Sequence, residues 1–99
     1  MTAADEDILD ALRSINDPEI GINIVDLGLV YRAERSANRI DVALTLTAPS
    51  CPLGELIVEE ARYALEQRFP DAQPVHVELV WEPPWTRERM SDAARRLIG

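Results

Sequence analysis

The residues best suited to chemistry are few. Cys51 is the one thiol in 99 residues, set in the stretch TAPSCPLG (47–54), between two prolines. Structural cysteines usually behave as small buried hydrophobes inside apolar runs, and this one occupies a turn. Pro52 suits the first position of a helix. That leaves Cys51 as N-cap, or Ser50 as N-cap with Cys51 one step inside. In either place the sulfur faces unpaired backbone N–H groups and the positive end of the helix dipole. Both favour the thiolate and pull the thiol below its free pKa, making it a nucleophile or a soft metal ligand. The carboxylates of Asp17, Glu19 and Glu55 act in the opposite direction.

Four further polar residues are expected near that sulfur. An Arg35–Ile40 pairing in a hairpin would carry Gly28 opposite Thr47, so the start of one strand meets the end of the next at one rim of a sheet. Asp26 precedes the first strand and Cys51 follows the second. Asp17 and Glu19 enter the loop that leads to Asp26. Each of these residues also has an ordinary structural reading. Asp17-Pro18 stops a helix, Asp26-Leu27-Gly28 is turn chemistry, and Thr47 is a good strand residue. Their convergence is what points to a site.

Composition narrows the function classes. The net charge is −8, with acidic residues spread evenly over both halves, which repels phosphate backbones and argues against nucleic-acid binding. All ten basic residues are arginine, so lysine Schiff bases and a phosphate-loop lysine are excluded. One histidine, His76, cannot build a three-histidine metal cage. A single cysteine forms no intramolecular disulfide and suits a reducing compartment. The polar N-terminal stretch is unlike a secretion signal, and no apolar run reaches the roughly 20 residues that span a bilayer. The expectation is a cytoplasmic, non-membrane protein forming one domain over 1–99.

The elements that must position the site follow from periodicity. Ile8, Leu9, Leu12 and Ile15 recur at helical spacing within 3–15, with Thr2 and Asp5 as start signal and Asn16-Asp17-Pro18 as stop. Two alternating segments come next, 29–35 with Leu29, Tyr31 and Ala33 on one face, and 39–47 with Ile40, Val42, Leu44 and Leu46 on one face; Ser36-Ala37-Asn38 joins them as a hairpin. A second helix is expected over 52–69, with Leu53, Leu56, Ile57, Ala61, Ala64 and Leu65 inward. A third strand over 75–82 places Trp81 in the core and His76 on the solvated side, and Pro83-Pro84 ends it. Trp85 is expected as a flap or a subunit contact, and Ser91 caps a short helix through Leu97. The order is αββαβα: a two-layer α/β (α+β) fold with helices on one face of a three-stranded mixed sheet, order 1-2-3. The crossover makes strands two and three parallel.

Three stretches, DPEIGINIVDLGLVY (17–31), TLTAPSCPLGELI (45–57) and VELVWEPPWTRERMSDAARRLIG (77–99), together resemble the SufT/PaaD-like family of metal–sulfur cluster assembly proteins. The closing W-x-P-P-W…M-S-x-x-A-R…L-x-G pattern resembles the SufT branch. The resemblance implies a small two-layer α/β domain and a part in maturing iron–sulfur proteins. It places the family's reactive cysteine on Cys51 and its recurrent polar positions on Asp17, Glu19, Asp26 and Thr47. Gly21-Ile22 stands where many relatives have proline and a β-branched residue.

Iron–sulfur clusters usually take four ligands, mostly thiolates, so one Cys51 per chain cannot hold a cluster alone. The expected role is a carrier or assembly adaptor, not an enzyme. Cys51 would be the metal ligand of a labile cluster shared with a second subunit of a homodimer or with a client. Assembly proteins and client apo-proteins are the expected partners. The alternatives are an interaction module, in which the acidic surface and Trp85 recruit partners, and a cysteine-based enzyme. The last is disfavoured because nucleophilic cysteines normally need a base such as histidine, and His76 is expected to point elsewhere.

Overall fold

The computed structural model describes residues 5–17, 20–36, 39–46, 54–72 and 74–98. The elements are α1 (Glu6–Leu12), β1 (Val30–Ser36), β2 (Arg39–Leu44), α2 (Gly54–Arg68), β3 (Val75–Leu79), a 3-10 turn (Arg87–Arg89) and α3 (Asp92–Ile98). The order is αββαβα, and the sheet runs β1-β2-β3 with β1 antiparallel and β3 parallel to β2.

Local chemistry accounts for most of the boundaries. Asp5 is the N-cap of α1: its carboxylate accepts the N–H groups of Asp7 and Ile8 at 2.9 and 3.1 Å, satisfying two donors that the first turn leaves open. Its own N–H donates to the Ala33 carbonyl at 2.9 Å, fastening the helix start to the edge of β1. The helix is shorter than its periodicity suggests, because the backbone tightens after Leu12 into a turn that closes Ile15 N–H on the Leu12 carbonyl. The stripe Gly54, Ile57, Ala61 and Leu65 is the buried face of α2, whereas Leu56 is 50% exposed. Leu56 is one position, about 100°, off that stripe. Pro52 and Leu53 lie outside the described residues. Ser91 caps α3 as expected, its Oγ accepting Ala94 N–H at 3.1 Å.

On β2 the expected inward set, Ile40, Val42, Leu44 and Leu46, is buried, and Ala43 and Thr45 from the opposite face are buried as well. On β1 the alternation breaks. Arg35 pairs with Ile40, and the register runs unchanged to Arg32 opposite Ala43; Val30 then faces Leu44, with an irregularity between them. One extra residue in one strand is a β-bulge, which re-aims side chains and shifts the ladder. Thr45 N–H accordingly donates to the Leu29 carbonyl at 2.8 Å, so the register has slipped by one residue by the start of β1; Thr47, expected opposite Gly28, lies outside the described residues. Tyr31 sits at the bulge and leaves the inward set. It is half-buried, its hydroxyl donates to the Pro83 carbonyl at 2.8 Å, and the Arg89 guanidinium stacks over its ring.

The core joins Ile8, Leu12 and Ile15 from α1 and its exit, Ile24, Leu27 and Leu29 from the following loop, the inner face of β2, the α2 stripe, and Met90 and Ala94 from the C-terminal segment. Trp81, expected in this core, is 41% exposed. β3 ends at Leu79, and the Glu82–Pro83 bond is cis.

Candidate functional site

The loop from Ile15 to Leu29 carries three of the expected site carboxylates, of which Asp17 and Asp26 are among the described residues. Its two limbs are held together by an Asn16–Asn23 bridge and by Ile24 N–H donating to the Ile15 carbonyl at 2.9 Å. Asp17 is on the first limb and is buried. Its carboxylate accepts Ile20 N–H at 3.1 Å, its N–H donates to the Ile22 carbonyl at 3.0 Å, and its carbonyl accepts Gly21 N–H at 2.7 Å. An aspartate whose carboxylate accepts a backbone N–H shortly after it in the chain is ordinary turn chemistry. Gly21 completes it at φ 80°.

Asp26 is on the second limb, in a turn spanning Asn23–Gly28. Asn23 and Asp26 bond each other twice: the Asn23 amide donates to the Asp26 carboxylate at 2.8 Å, and Asp26 N–H donates to the Asn23 carbonyl oxygen of the side chain at 2.9 Å. One oxygen of a half-buried carboxylate is thereby fixed in direction.

The C-terminal segment braces this turn, which sequence reasoning missed. Trp85 Nε1–H donates to the Leu27 carbonyl at 2.7 Å, and Ser91 N–H donates to the Asp26 carbonyl at 2.7 Å. Gly28, at φ 76°, is pressed against residue 89 so closely that a Cβ there would collide with the Arg89 carbonyl. Trp85 is therefore not a free flap: its half-buried indole docks on its own chain. The available signal was the pairing of a glycine after Asp26-Leu27 with an indole N–H far along the sequence, and nothing local links the two.

Glu19, Thr47 and Cys51 lie outside the described residues. The residues that bracket the last two are well placed: Leu46 is buried, and a Cβ on Gly54 would meet Leu46 Cδ1 at 2.9 Å and Leu79 Cδ1 at 3.0 Å. The exit of β2 and the first turn of α2 thus meet in the core. Thr45, next to Leu46, donates its N–H to the Leu29 carbonyl, and Leu29 N–H donates to the Ile24 carbonyl at 3.0 Å, which joins the end of β2 to the loop that carries Asp26.

A separate polar cluster covers the outer face of the sheet. Arg32 donates from one terminal nitrogen to Asp41 at 2.9 Å and Glu78 at 2.7 Å, and its Nε lies 3.4 Å from Glu34. Hydrogen bonds from Asp41 and then Glu78 push the guanidinium above its already high pKa, so it stays charged. Asp41, His76 and Glu78 offer ligand atoms within 4.8 Å of one another, the one group among the described residues with metal-ligand chemistry. The Arg32 cation already engages both of its carboxylates. His76 is exposed, as expected.

Residues 5–79 match the family described as Iron-sulfur cluster assembly protein. The chain is 41% identical over 98 residues to the Fe-S protein maturation auxiliary factor YitW of Bacillus subtilis (strain 168), covering 98% of this chain and 95% of the relative. It is 40% identical over 84 residues to the Fe-S protein maturation auxiliary factor SufT of Staphylococcus aureus (strain USA300), covering 84% and 94%. Among solved structures, the domain of unknown function DUF59 from Bacillus anthracis superposes with a TM-score of 0.90 at 35% identity, covering 95% of this chain and 90% of that one. With a matching family profile, end-to-end relatives and the same αββαβα fold, this chain belongs to the iron–sulfur cluster assembly protein family that includes the SufT- and YitW-type factors.

Proposed function

We propose that this protein is an auxiliary factor in iron–sulfur protein maturation, a carrier or adaptor rather than a turnover enzyme, acting as one domain over 1–99 in the cytoplasm. The observation that carries the reading is the near full-length identity to a maturation auxiliary factor. The local geometry supports it. Leu46 at the exit of β2 packs toward Gly54 at the start of α2, which brings together the two ends of the segment that holds Thr47 and Cys51, and Thr45 N–H bonds Leu29, which follows the Asp26 turn in the chain.

In this reading the cluster is cargo. Cys51 is its one protein thiolate, and Asp26, Glu19, Asp17 and Thr47 are the supporting polar groups. A cluster normally has four ligands, so the remaining positions fall to a second subunit, a small thiol or a client. An under-coordinated cargo is held weakly and passes on readily. The partners are assembly proteins and client apo-proteins.

Anaerobic reconstitution with iron and sulfide, read by visible absorption and a sizing column, tests the ligand role. The wild type should retain iron and Cys51→Ser should lose most of it, with a parallel loss of client maturation in cells. Equal retention and equal maturation would reject Cys51 as ligand.

The exposure of Trp81 favours one second reading, an interaction module. Trp85 is committed to Leu27, so the indole free to meet a partner is Trp81. Loss of client maturation in Trp81→Ala, with Cys51→Ser harmless, would select this reading over the carrier.

A further inference from the structure

The two edges of the sheet differ. The β1 edge is partly closed, because Asp5 N–H at the head of α1 donates to the Ala33 carbonyl. Among the described residues the outer edge of β3 is unpaired: Val80 N–H donates inward to the Leu44 carbonyl at 2.8 Å, in a ladder that sets Asp41 beside His76 and Ala43 beside Glu78. Main-chain groups alternate along a strand, so those of His76 and Glu78 turn toward β2 and those of Val75, Val77 and Leu79 turn outward. Among the described residues, no backbone group bonds to that outer edge. An unpaired strand edge is a template for another strand.

The sequence of β3, Val75-His76-Val77-Glu78-Leu79, is complementary to itself when reversed. We propose that this edge pairs antiparallel with β3 of a second copy of the chain, about a twofold axis through Val77. Val75 then faces the partner's Leu79, Val77 faces its counterpart, and His76 faces the partner's Glu78 on both sides of the axis. The pairing is isologous, as closed dimers require. All three outward-facing residues meet outward-facing residues, which gives roughly six new main-chain hydrogen bonds and one continuous sheet.

Charge selects this register. A shift by one residue would set apolar side chains against polar ones on opposite faces. A shift by two places Glu78 against Glu78, where like charges directly opposite are destabilising, or His76 against His76, where neither imidazole meets a carboxylate. Glu78 is suited to the role: Arg32 holds Oε1 at 2.7 Å, while Oε2 lies 4.0 Å from its own chain's His76 Nε2, too long for a hydrogen bond. That leaves Oε2 free to accept from the partner's imidazole. The proposal does not rest on the cluster-carrier reading.

The test is sedimentation of the full chain across a concentration series, with amide hydrogen exchange at each end. Association should rise with concentration, and the amides of Val75, Val77 and Leu79 should gain protection while those of His76 and Glu78, already bonded to β2, do not. His76→Glu should weaken association about tenfold and His76→Arg should strengthen it; both leave Arg32, Asp41 and Glu78 in place, and circular dichroism checks that both fold. Cys51→Ser should dimerise as the wild type does, which separates this test from that of the ligand role. A monomer throughout would overturn the proposal. So would a dimer whose Val75, Val77 and Leu79 amides stay exposed, or protection that appears only when another protein is added.

Discussion

Gly28 shows how much one residue can carry. Its φ of 76° lies where side chains are strained, and the backbone of residue 89 occupies the space a Cβ would need. Gly21 has a similar φ of 80° with nothing within 4 Å of its Cβ direction. The pair separates conformational strain from collision. Gly21→Ala should cost about 1 kcal/mol. Gly28→Ala should cost roughly 2–4 kcal/mol, because the collision adds to the strain. Urea titration should show a lower midpoint for Gly28→Ala with an unchanged slope; equal costs would mean that residue 89 yields without resistance. From the sequence, Gly28 reads only as the end of an irregular stretch. Its partner is supplied by tertiary structure.

Among the elements, the segment Trp85–Ser91 does the least regular and most specific work. It has one short 3-10 turn, yet it bonds the Asp26 and Leu27 carbonyls and buries Met90. The family profile covers residues 5–79, and the brace is supplied by the segment that follows it, which the full-length relatives also match. Trp85→Phe keeps most of the ring and removes the Nε1 donor, leaving the Leu27 carbonyl without that partner. The expected loss is about 1 kcal/mol, with faster amide exchange for Gly28 and Leu29 than for α1. Unchanged exchange in that turn would show that Ser91 and Met90 brace it without the indole. Legibility was uneven at this scale. The existence, order and direction of the elements were readable, because 3.6- and 2-residue periods and turn residues are local signals. The β1 bulge was not, since the extra residue reveals itself only against the partner strand.

For the whole molecule, charge is the dominant fact. A net charge of −8 on 99 residues repels itself in the compact state, and the arginines answer it locally. Arg35 pairs with Asp5 and Asp7, Arg68 with Asp7 and Asp10, and Arg32 with the three carboxylates of the outer sheet face. Exposed pairs of this kind contribute little each, so the net repulsion should prevail. Raising sodium chloride from about 10 to about 150 mM should therefore raise the melting temperature. A fall in melting temperature would show that the arginine pairs outweigh the excess negative charge.

What the sequence determined by itself was the αββαβα order, the parallel return of β3 through α2, the inward set of β2, the solvated His76 and the Ser91 cap. Each follows from spacing within one segment or from the limited ways a crossover can close. The tertiary structure alone decided that Trp85 docks on Leu27 while Trp81 stays exposed, that Tyr31 leaves the core face at a bulge, and that Gly28 must lack a side chain. Those outcomes depend on which groups far apart in sequence (58 residues for Trp85 and Leu27) are left unpaired once the sheet has closed, and no local pattern encodes that remainder.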